Sequence, residues 1–216
     1  MSQAPSAAKK PWADFHFIRG DALLNLSEFP RCQDCNEALV DGRDVEYPLL
    51  VSHRWKTAEH PDPGGTQLYA LQQFVNNLAD VALVLFASPD EQREAIPNLA
   101  VHGVLQAAIL AARFICIHNK PLDRNNLLRR LGLWYDYSCL PQKPRTETEQ
   151  HHFKASLKKL PDLFSSAPML TLRQNDVDDY MSRGWCLAEL ASADLSDFTP
   201  ISLYVDTLGK EIPLDD

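Results

Sequence analysis

Short apolar runs that end abruptly in polar residues constrain the fold of this chain more than any other feature. Four of them occur along the chain, EYPLLVSHRW, LGLWYDYSCL, PMLTLRQ and TPISLYV. Strands of a parallel sheet look like this, because helices cover both faces of the sheet and the strands are buried on both sides. Segments with helical spacing separate the runs, and the alternation predicts an α/β fold with a parallel, doubly wound sheet.

The longest separation lies between the first and second runs. There, TQLYALQQFVNNLADVALVLFAS repeats apolar residues at helical spacing, and LAVHGVLQAAILAARFICIHN predicts a second, largely buried helix. The pieces VALVLFA and RFICI also fit strands, because periodicity does not separate strand from helix in short apolar runs. We therefore expect a helical insertion after the first strand of the sheet.

The chain length limits the number of domains. The 216 residues suffice for one domain with a buried core and are too few for two ordinary ones. Residues 1–44 are interpreted as a partly irregular N-terminal extension, loose at its Ala-, Ser- and Pro-rich start. Residues 45–216 are interpreted as the α/β domain.

Charge and composition argue against several classes of partner. The formal net charge of -8 disfavours direct binding of nucleic acid or of an anionic membrane surface, because phosphates would be repelled. No apolar run is long enough to span a bilayer, and the N-terminus lacks the apolar core of a secretory signal. The five cysteines, an odd number, favour reduced thiols and predict a cytoplasmic protein.

Ligands of an open parallel sheet bind at the carboxyl ends of its strands, so the residues after each run are the candidate site. Ser52, His53, Arg54 and Trp55 follow the first run. Arg54 is suited to binding a phosphate and Trp55 to stacking on a ring. The alternative is structural, with Trp55 capping the core and Arg54 paired with a surface carboxylate.

The second run ends at Asp136, which Tyr137 follows. This carboxylate is either a cap for the following loop or a ligand-binding group, and the sequence leaves both roles open. Gly64 and Gly65 precede a helix and fit either a pyrophosphate contact or a simple turn.

Metal binding is not expected. Zinc requires four ligands, and the chain has a single CxxC pair, RCQDC, with no second pair.

The segment YMSRGWCLAEL, after the third run, presents a tryptophan and a carboxylate one helical turn apart. Trp185 and Glu189 lie beside the apolar stripe of this predicted helix and face the same way. Glutamate is rarely buried unless it is paired or functional. A carboxylate beside an aromatic wall suits the stabilisation of a cationic sugar, and a surface Glu beside an exposed Trp is the alternative.

The order of these motifs resembles the Toll/interleukin receptor (TIR) family. LLVSHRW stands at the Ser–aromatic–Arg position of that family, GLWYDYSCLPQKPR at its acidic second strand end, and YMSRGWCLAEL at its motif Y-x-x-S-x-W-C-x-x-E-L. The resemblance covers residues 47–205 in order and is most specific in WCLAEL. It implies a flavodoxin-like, TIR-like sheet flanked by helices.

Enzymes of that family cleave NAD+ at the nicotinamide–ribose bond, and the resemblance carries their catalytic glutamate to Glu189. It implies that NAD+ is a substrate, with no resident cofactor or metal. Ser52 and Arg54 would line the site, together with the neighbouring His53, Trp55, Asp136, Tyr137 and Trp185. It further implies activity as a homo-oligomer or with a separate sensor protein, in defence or cell death.

Two other functions share the predicted features. Many TIR domains are non-catalytic modules that bind one another, and a Glu189 turned to solvent would favour that role. A nucleoside deoxyribosyltransferase-like enzyme would also combine this type of sheet with a catalytic glutamate, and would act on nucleosides rather than on NAD+.

Overall fold

The structure is a computed structural model that describes residues 10–35, 37–84, 104–118, 123–174, 180–194 and 200–205. Within these residues the chain forms an α/β fold, with a six-stranded mixed sheet flanked by helices. The strands are β1 (His16–Arg19), β2 (Leu39–Asp41), β3 (Tyr47–Ser52), β4 (Leu131–Trp134), β5 (Met169–Gln174) and β6 (Ile201–Val205).

The helices occupy the segments between the strands. They are α1 (Gly20–Leu23), α2 (Thr66–Val84), α3 (Val104–His118), α4 (Arg124–Arg130), α5 (Asp136–Cys139), α6 (Glu147–Phe164) and α7 (Gly184–Ala193), with 3-10 turns at Cys32–Asp34 and Tyr180–Ser182. Helix α6 begins with a capping box, in which Thr146 and Glu149 exchange side-chain-to-backbone hydrogen bonds. None of the helices in the described ranges has the length and apolarity needed to cross a membrane.

The four strands predicted from the apolar runs lie side by side and parallel, in the order β4-β3-β5-β6. Numbered along the chain, this order is second, first, third, fourth, as in flavodoxin-like sheets. Strand β3 is central, and all six of its residues are buried. Its register pairs Leu50 with Trp134 of β4 and with Met169 of β5, so the polar residues after each strand reach the same edge of the sheet.

The predicted parallel sheet is one part of a mixed sheet, which also contains two antiparallel strands from the N-terminal segment. Strand β1 pairs antiparallel with β4, and β2 pairs antiparallel with β1. Gly132 permits this packing, since a Cβ atom at that position would lie 2.6 Å from Val45 Cγ2 and 3.0 Å from Phe17 Cβ. Strands of four and three residues carry too little alternation to be read from sequence, so residues before 45 appeared irregular.

The predicted helical insertion lies between β3 and β4. Helices α2 and α3 pack against each other and α4 leads into β4. The VALV part of VALVLFA and the piece RFICI are helical. The break SPDEQREAIPN, predicted between α2 and α3, lies outside the described residues.

Candidate functional site

Glu189 is buried at the carboxyl end of the central strand. Its side chain projects from α7, and the residue is only 4% exposed. The hydroxyl of Ser52, the last residue of β3, donates a hydrogen bond to Glu189 Oε2. The same hydroxyl is hydrogen-bonded to the phenol of Tyr180, which is also buried. Two hydroxyls therefore form a chain that ends on the carboxyl group.

Burial dominates the electrostatics of this carboxyl group. Removal from water, and to a smaller extent the nearby negative charge of Asp136, raise the pKa of Glu189 to about 8. Hydrogen bonds from Ser52 and Trp185 act in the opposite direction. The group is thus poised to change protonation state near neutral pH, which is unusual for a glutamate and common in functional sites.

A second carboxyl group lies at the end of β4. Asp136 Oδ1 is 2.9 Å from Nε2 of His53, and its Oδ2 accepts a hydrogen bond of 3.0 Å from Nε1 of Trp55. In the neutral ring His53 donates from Nε2, and in the described part of the chain its buried Nδ1 has no hydrogen-bond partner. The residues that follow β3 are thereby fixed to the end of β4.

A stack of three rings supports His53. Its imidazole lies 3.8 Å from the ring of Tyr135, and Tyr135 lies 3.8 Å from Phe29, with interplanar angles of 7° and 9°. The Tyr135 hydroxyl donates to Gln67 Oε1, and Gln67 Nε2 donates to the carbonyl of Arg54. The ring of His53 is therefore held by stacking on Tyr135 and by the hydrogen bond between its Nε2 and Asp136.

The N-terminal segment also holds the loop after α5. Gln33 Nε2 donates to the carbonyl of Gln142 at 2.6 Å, and Gln33 Oε1 accepts from the Gln142 backbone N–H. Arg31 donates to the carbonyls of Gln142 and Pro144. The Ser138 hydroxyl donates to a backbone carbonyl of the same segment at 2.6 Å. This part of the predicted extension thus packs directly on the candidate site.

Between these elements lies a cleft of about 390 Å³. Its lining combines three arginines with aromatic and aliphatic side chains: His53, Arg54, Trp55, Asp136, Leu140, Gln142, Arg145, Phe153, Leu157, Arg183, Trp185 and Cys186. The guanidinium of Arg145 lies 3.5 Å above the ring of Phe153. A cleft of this kind suits a ligand that has both flat rings and negative charge.

The structure brings most of the predicted site residues to this cleft. His53, Arg54, Trp55, Asp136 and Trp185 all line it.

Three predicted residues lie behind the lining. Among the described residues, Ser52, Tyr137 and Glu189 are not part of the cleft surface. Tyr137 packs edge-on against Trp55 and His60. Glu189 lies one helical turn beyond Trp185, whose side chain is 44% exposed, so the two do not share the exposure expected from their common face.

The glycine pair before α2 forms a turn rather than an open anion site. Gly65 has φ +69, a conformation that favours glycine. The buried carboxylate of Asp62 accepts hydrogen bonds of 2.9 Å from the backbone N–H groups of Gln67 and Leu68. An acidic side chain thus occupies the helix N-terminus where a phosphate would bind.

The cysteines do not form a metal site within the described residues, where no cluster of three or more potential ligands occurs. Cys32 and Cys35 are free thiols, and burial raises the pKa of each to about 11. Cys139 is fully buried and its pKa is raised still more strongly by burial. These thiols are protonated at neutral pH and unsuited to nucleophilic chemistry.

Sequence reasoning missed Tyr180 and much of the cleft wall. Tyr180 begins the quoted motif YMSRGWCLAEL, but its contact with Ser52 joins residues 128 positions apart. Phe153 and Leu157 lie on the apolar stripe of α6 and look like ordinary core positions. Arg145 is the last residue of the PQKPR loop. Its position after the second predicted strand is the sequence feature that could have indicated a role in the site.

The chain was also compared with protein-family models, with curated proteins and with solved structures, and none of them matches it.

Proposed function

We propose that the protein is an NAD+ glycohydrolase or cyclase that cleaves the nicotinamide–ribose bond, with Glu189 as its catalytic carboxylate. The observation that carries the proposal is the placement of Glu189: it is buried at the carboxyl end of the central strand, hydrogen-bonded to Ser52, beside an arginine- and tryptophan-lined cleft. The resemblance of YMSRGWCLAEL to the TIR motif supports the same residue.

The reaction requires little acid catalysis. When the C1′–N bond breaks, its electron pair stays on the pyridinium nitrogen, so nicotinamide leaves as a neutral molecule. The positive charge then rests on the ribose as an oxocarbenium-like species, which a nearby carboxylate stabilises. Addition of water and loss of a proton give ADP-ribose, and attack by a nucleophile of the same nucleotide gives a cyclic product.

The raised pKa of Glu189, to about 8, links deprotonation to substrate binding. NAD+ carries a positive pyridinium, and an adjacent positive charge favours the ionised carboxyl group. Substrate therefore promotes the form of Glu189 that the reaction requires.

The cleft offers complementary groups for the rest of the dinucleotide. Arg54, Arg145 and Arg183 line it, and arginine pairs well with a diphosphate. Trp55 and Trp185 supply flat surfaces for rings. Glu189 lies behind this lining, so its contact with the ribose requires movement of the side chains that line the cleft, and Trp185, which is hydrogen-bonded to Glu189, is the most exposed neighbour.

The proposal extends to the setting of the reaction. We place the protein in the cytoplasm, in a defence or cell-death response, active as a homo-oligomer or with a separate sensor protein. NAD+ is then a substrate, and no nucleic acid or membrane is bound directly. The net charge of -8 supports the last point, because polyanions would be repelled.

The direct test is to incubate concentrated protein with NAD+, with and without a crowding agent, and to measure released nicotinamide. The parent protein is expected to release it, and Glu189→Gln is expected to lose about 10²-fold or more of the rate while keeping its fold. Parallel incubation with nucleosides tests for deoxyribosyltransferase-like activity. Equal rates in parent and variant would contradict the proposed role of Glu189.

A second candidate is a non-catalytic TIR-like interaction module. Three large apolar side chains near the start of α7 are exposed, at 44–48%, as is typical of a docking surface: Met181, Trp185 and Leu187. Absence of nicotinamide release under both conditions, together with self-association of the protein in sedimentation, would favour the module over the enzyme.

A further inference from the structure

We propose that Tyr180 and Ser52 are positioning residues, which favour the ionised form of Glu189 through a chain of hydrogen bonds in which each hydroxyl donates toward the carboxylate. The inference deepens the proposed function and rests on it for its catalytic meaning, whereas the chain itself rests on hydrogen bonds within the fold. Neither hydroxyl lines the cleft, so neither is placed to contact the substrate directly.

The direction of the chain follows from the number of protons available. The hydroxyl of Ser52 has one proton, which it donates to Glu189 Oε2. Its oxygen is then free to accept, and the partner at that oxygen is the phenol of Tyr180. With Glu189 ionised, both protons point toward the negative charge, and such charge-assisted hydrogen bonds are the stronger ones.

Burial makes this support necessary. Ser52 is 0%, Tyr180 3% and Glu189 4% exposed, so water does not solvate the charge. A buried carboxylate without compensating donors reverts to its neutral form. The chain supplies the donors that water would otherwise supply.

The other groups around Glu189 do not replace the chain. Asp136 at the end of β4 interacts unfavourably with its negative charge, and the thiol of Cys186 on the same helix, whose pKa burial and Glu189 raise to about 12, stays uncharged. Trp185 contributes one further hydrogen bond. The guanidinium of Arg173 on β5 lies 5.9 Å from the ring of Tyr180 and interacts with that residue. Ser52, whose hydroxyl is bonded to Tyr180, therefore carries the larger part of the direct hydrogen-bond support.

Titration of Glu189 itself tests the inference without any substrate. The carboxyl carbon of Glu189 is followed by NMR in protein with ¹³C-labelled glutamate, and its signal is assigned by its loss in Glu189→Gln. Tyr180→Phe removes one hydroxyl from an otherwise identical ring and is expected to raise the pKa of Glu189 by about one unit. Ser52→Ala is expected to raise the pKa of Glu189 further. Ser52→Thr keeps a hydroxyl at this position and is expected to return the pKa of Glu189 to its value in the parent protein.

Matched controls separate positioning from general loss of packing. Tyr47→Phe removes a phenol from a buried tyrosine at the other end of β3, and Ser156→Ala removes a hydroxyl from a buried serine of α6. Both are expected to leave the titration of Glu189 unchanged. An unchanged titration in Tyr180→Phe and Ser52→Ala as well would overturn the inference.

Measuring nicotinamide release from the same proteins keeps the two proposals apart. If the titration moves and no protein releases nicotinamide, the chain is supported and the proposed function fails. If the parent cleaves NAD+ and the titration does not move, the proposed function is supported and the chain is overturned. If both proposals hold, the midpoint of the pH–rate profile moves upward in Tyr180→Phe together with the pKa of Glu189.

Discussion

Glu189 and Asp136 lie at the same edge of the sheet and are held in opposite ways. Glu189 is buried behind the cleft surface and hydrogen-bonded to the hydroxyl of Ser52, whereas Asp136 lines the cleft and accepts from the ring nitrogens of His53 and Trp55. The first environment favours a carboxyl group that gains and loses a proton. The second favours a fixed acceptor that organises the residues around it. The comparison indicates that burial, rather than residue type, divides the roles of two acidic groups.

The largest expected effect concerns pH. Because burial raises the pKa of Glu189 to about 8, NAD+ cleavage measured as kcat/KM should increase about 50-fold from about pH 6 to about pH 8 and level off above about pH 9. Asp136→Asn removes a negative neighbour and should move the midpoint to lower pH. A profile that is flat over this range, in protein that cleaves NAD+, would show that Glu189 does not titrate as its burial requires.

The next effect is on stability. The free energy of unfolding changes with pH in the direction opposite to that caused by a salt-bridged acid, whose pKa is lowered in the folded state. Between the ordinary pKa of 4.5 and the raised value of about 8, the folded state binds a proton that the unfolded state has released. The free energy of unfolding therefore decreases as pH rises through this window. Glu189→Gln lacks the effect and should gain about 4 kcal/mol relative to the parent between about pH 4.5 and about pH 8.5.

Urea unfolding of parent and Glu189→Gln at both pH values measures that difference. Glu46→Gln is the matched control, since the partly exposed carboxyl group of Glu46 pairs with Arg130 at the other end of β3. A pH-independent difference between parent and Glu189→Gln would mean that Glu189 is already ionised in the folded protein at the lower pH.

A smaller effect is expected from Asp136→Asn on catalysis. An asparagine offers one acceptor to His53 and Trp55 in place of two, so one of the two ring N–H groups loses its partner. We expect a decrease of about tenfold in kcat/KM, the equivalent of one hydrogen bond, mainly through KM. Steady-state kinetics above about pH 9 measures this effect apart from the pH shift. A loss as large as that of Glu189→Gln would make Asp136 part of the chemistry and remove the proposed division of roles.

The smallest effect is expected at the N-terminal segment. Gln33→Ala removes the paired hydrogen bonds to Gln142 and should destabilise the protein by about 1 kcal/mol, with a few-fold rise in KM for NAD+ and little change in kcat. Thermal unfolding and steady-state kinetics measure the two effects. Gln72→Ala is a suitable control, because Gln72 also bonds backbone carbonyls of the N-terminal segment, at Leu23 and Leu26, outside the cleft lining. An equal rise in KM in both variants would assign the effect to stability alone.

Local patterns were sufficient to predict the central part of the fold. The four apolar runs correspond to β3, β4, β5 and β6, because strands buried on both faces need continuous apolar residues. The same patterns did not predict β1 and β2, which are short: β1 joins the sheet through β4, and β2 joins it through β1. The N-terminal segment also supplies Phe29, Arg31 and Gln33 to the site, and contacts across about a hundred residues leave no periodic signal in the sequence.

The amino-acid sequence by itself determined which residues follow the parallel strands, and therefore that Ser52, Asp136 and the motif around Glu189 reach one edge of the sheet. The tertiary structure alone decided how each of these residues is buried and hydrogen-bonded. It buried Glu189 against the hydroxyls of Ser52 and Tyr180, and left Asp136 on the cleft wall. The physical reason is that strand periodicity is a local property, whereas desolvation and hydrogen bonding depend on every element packed around a group.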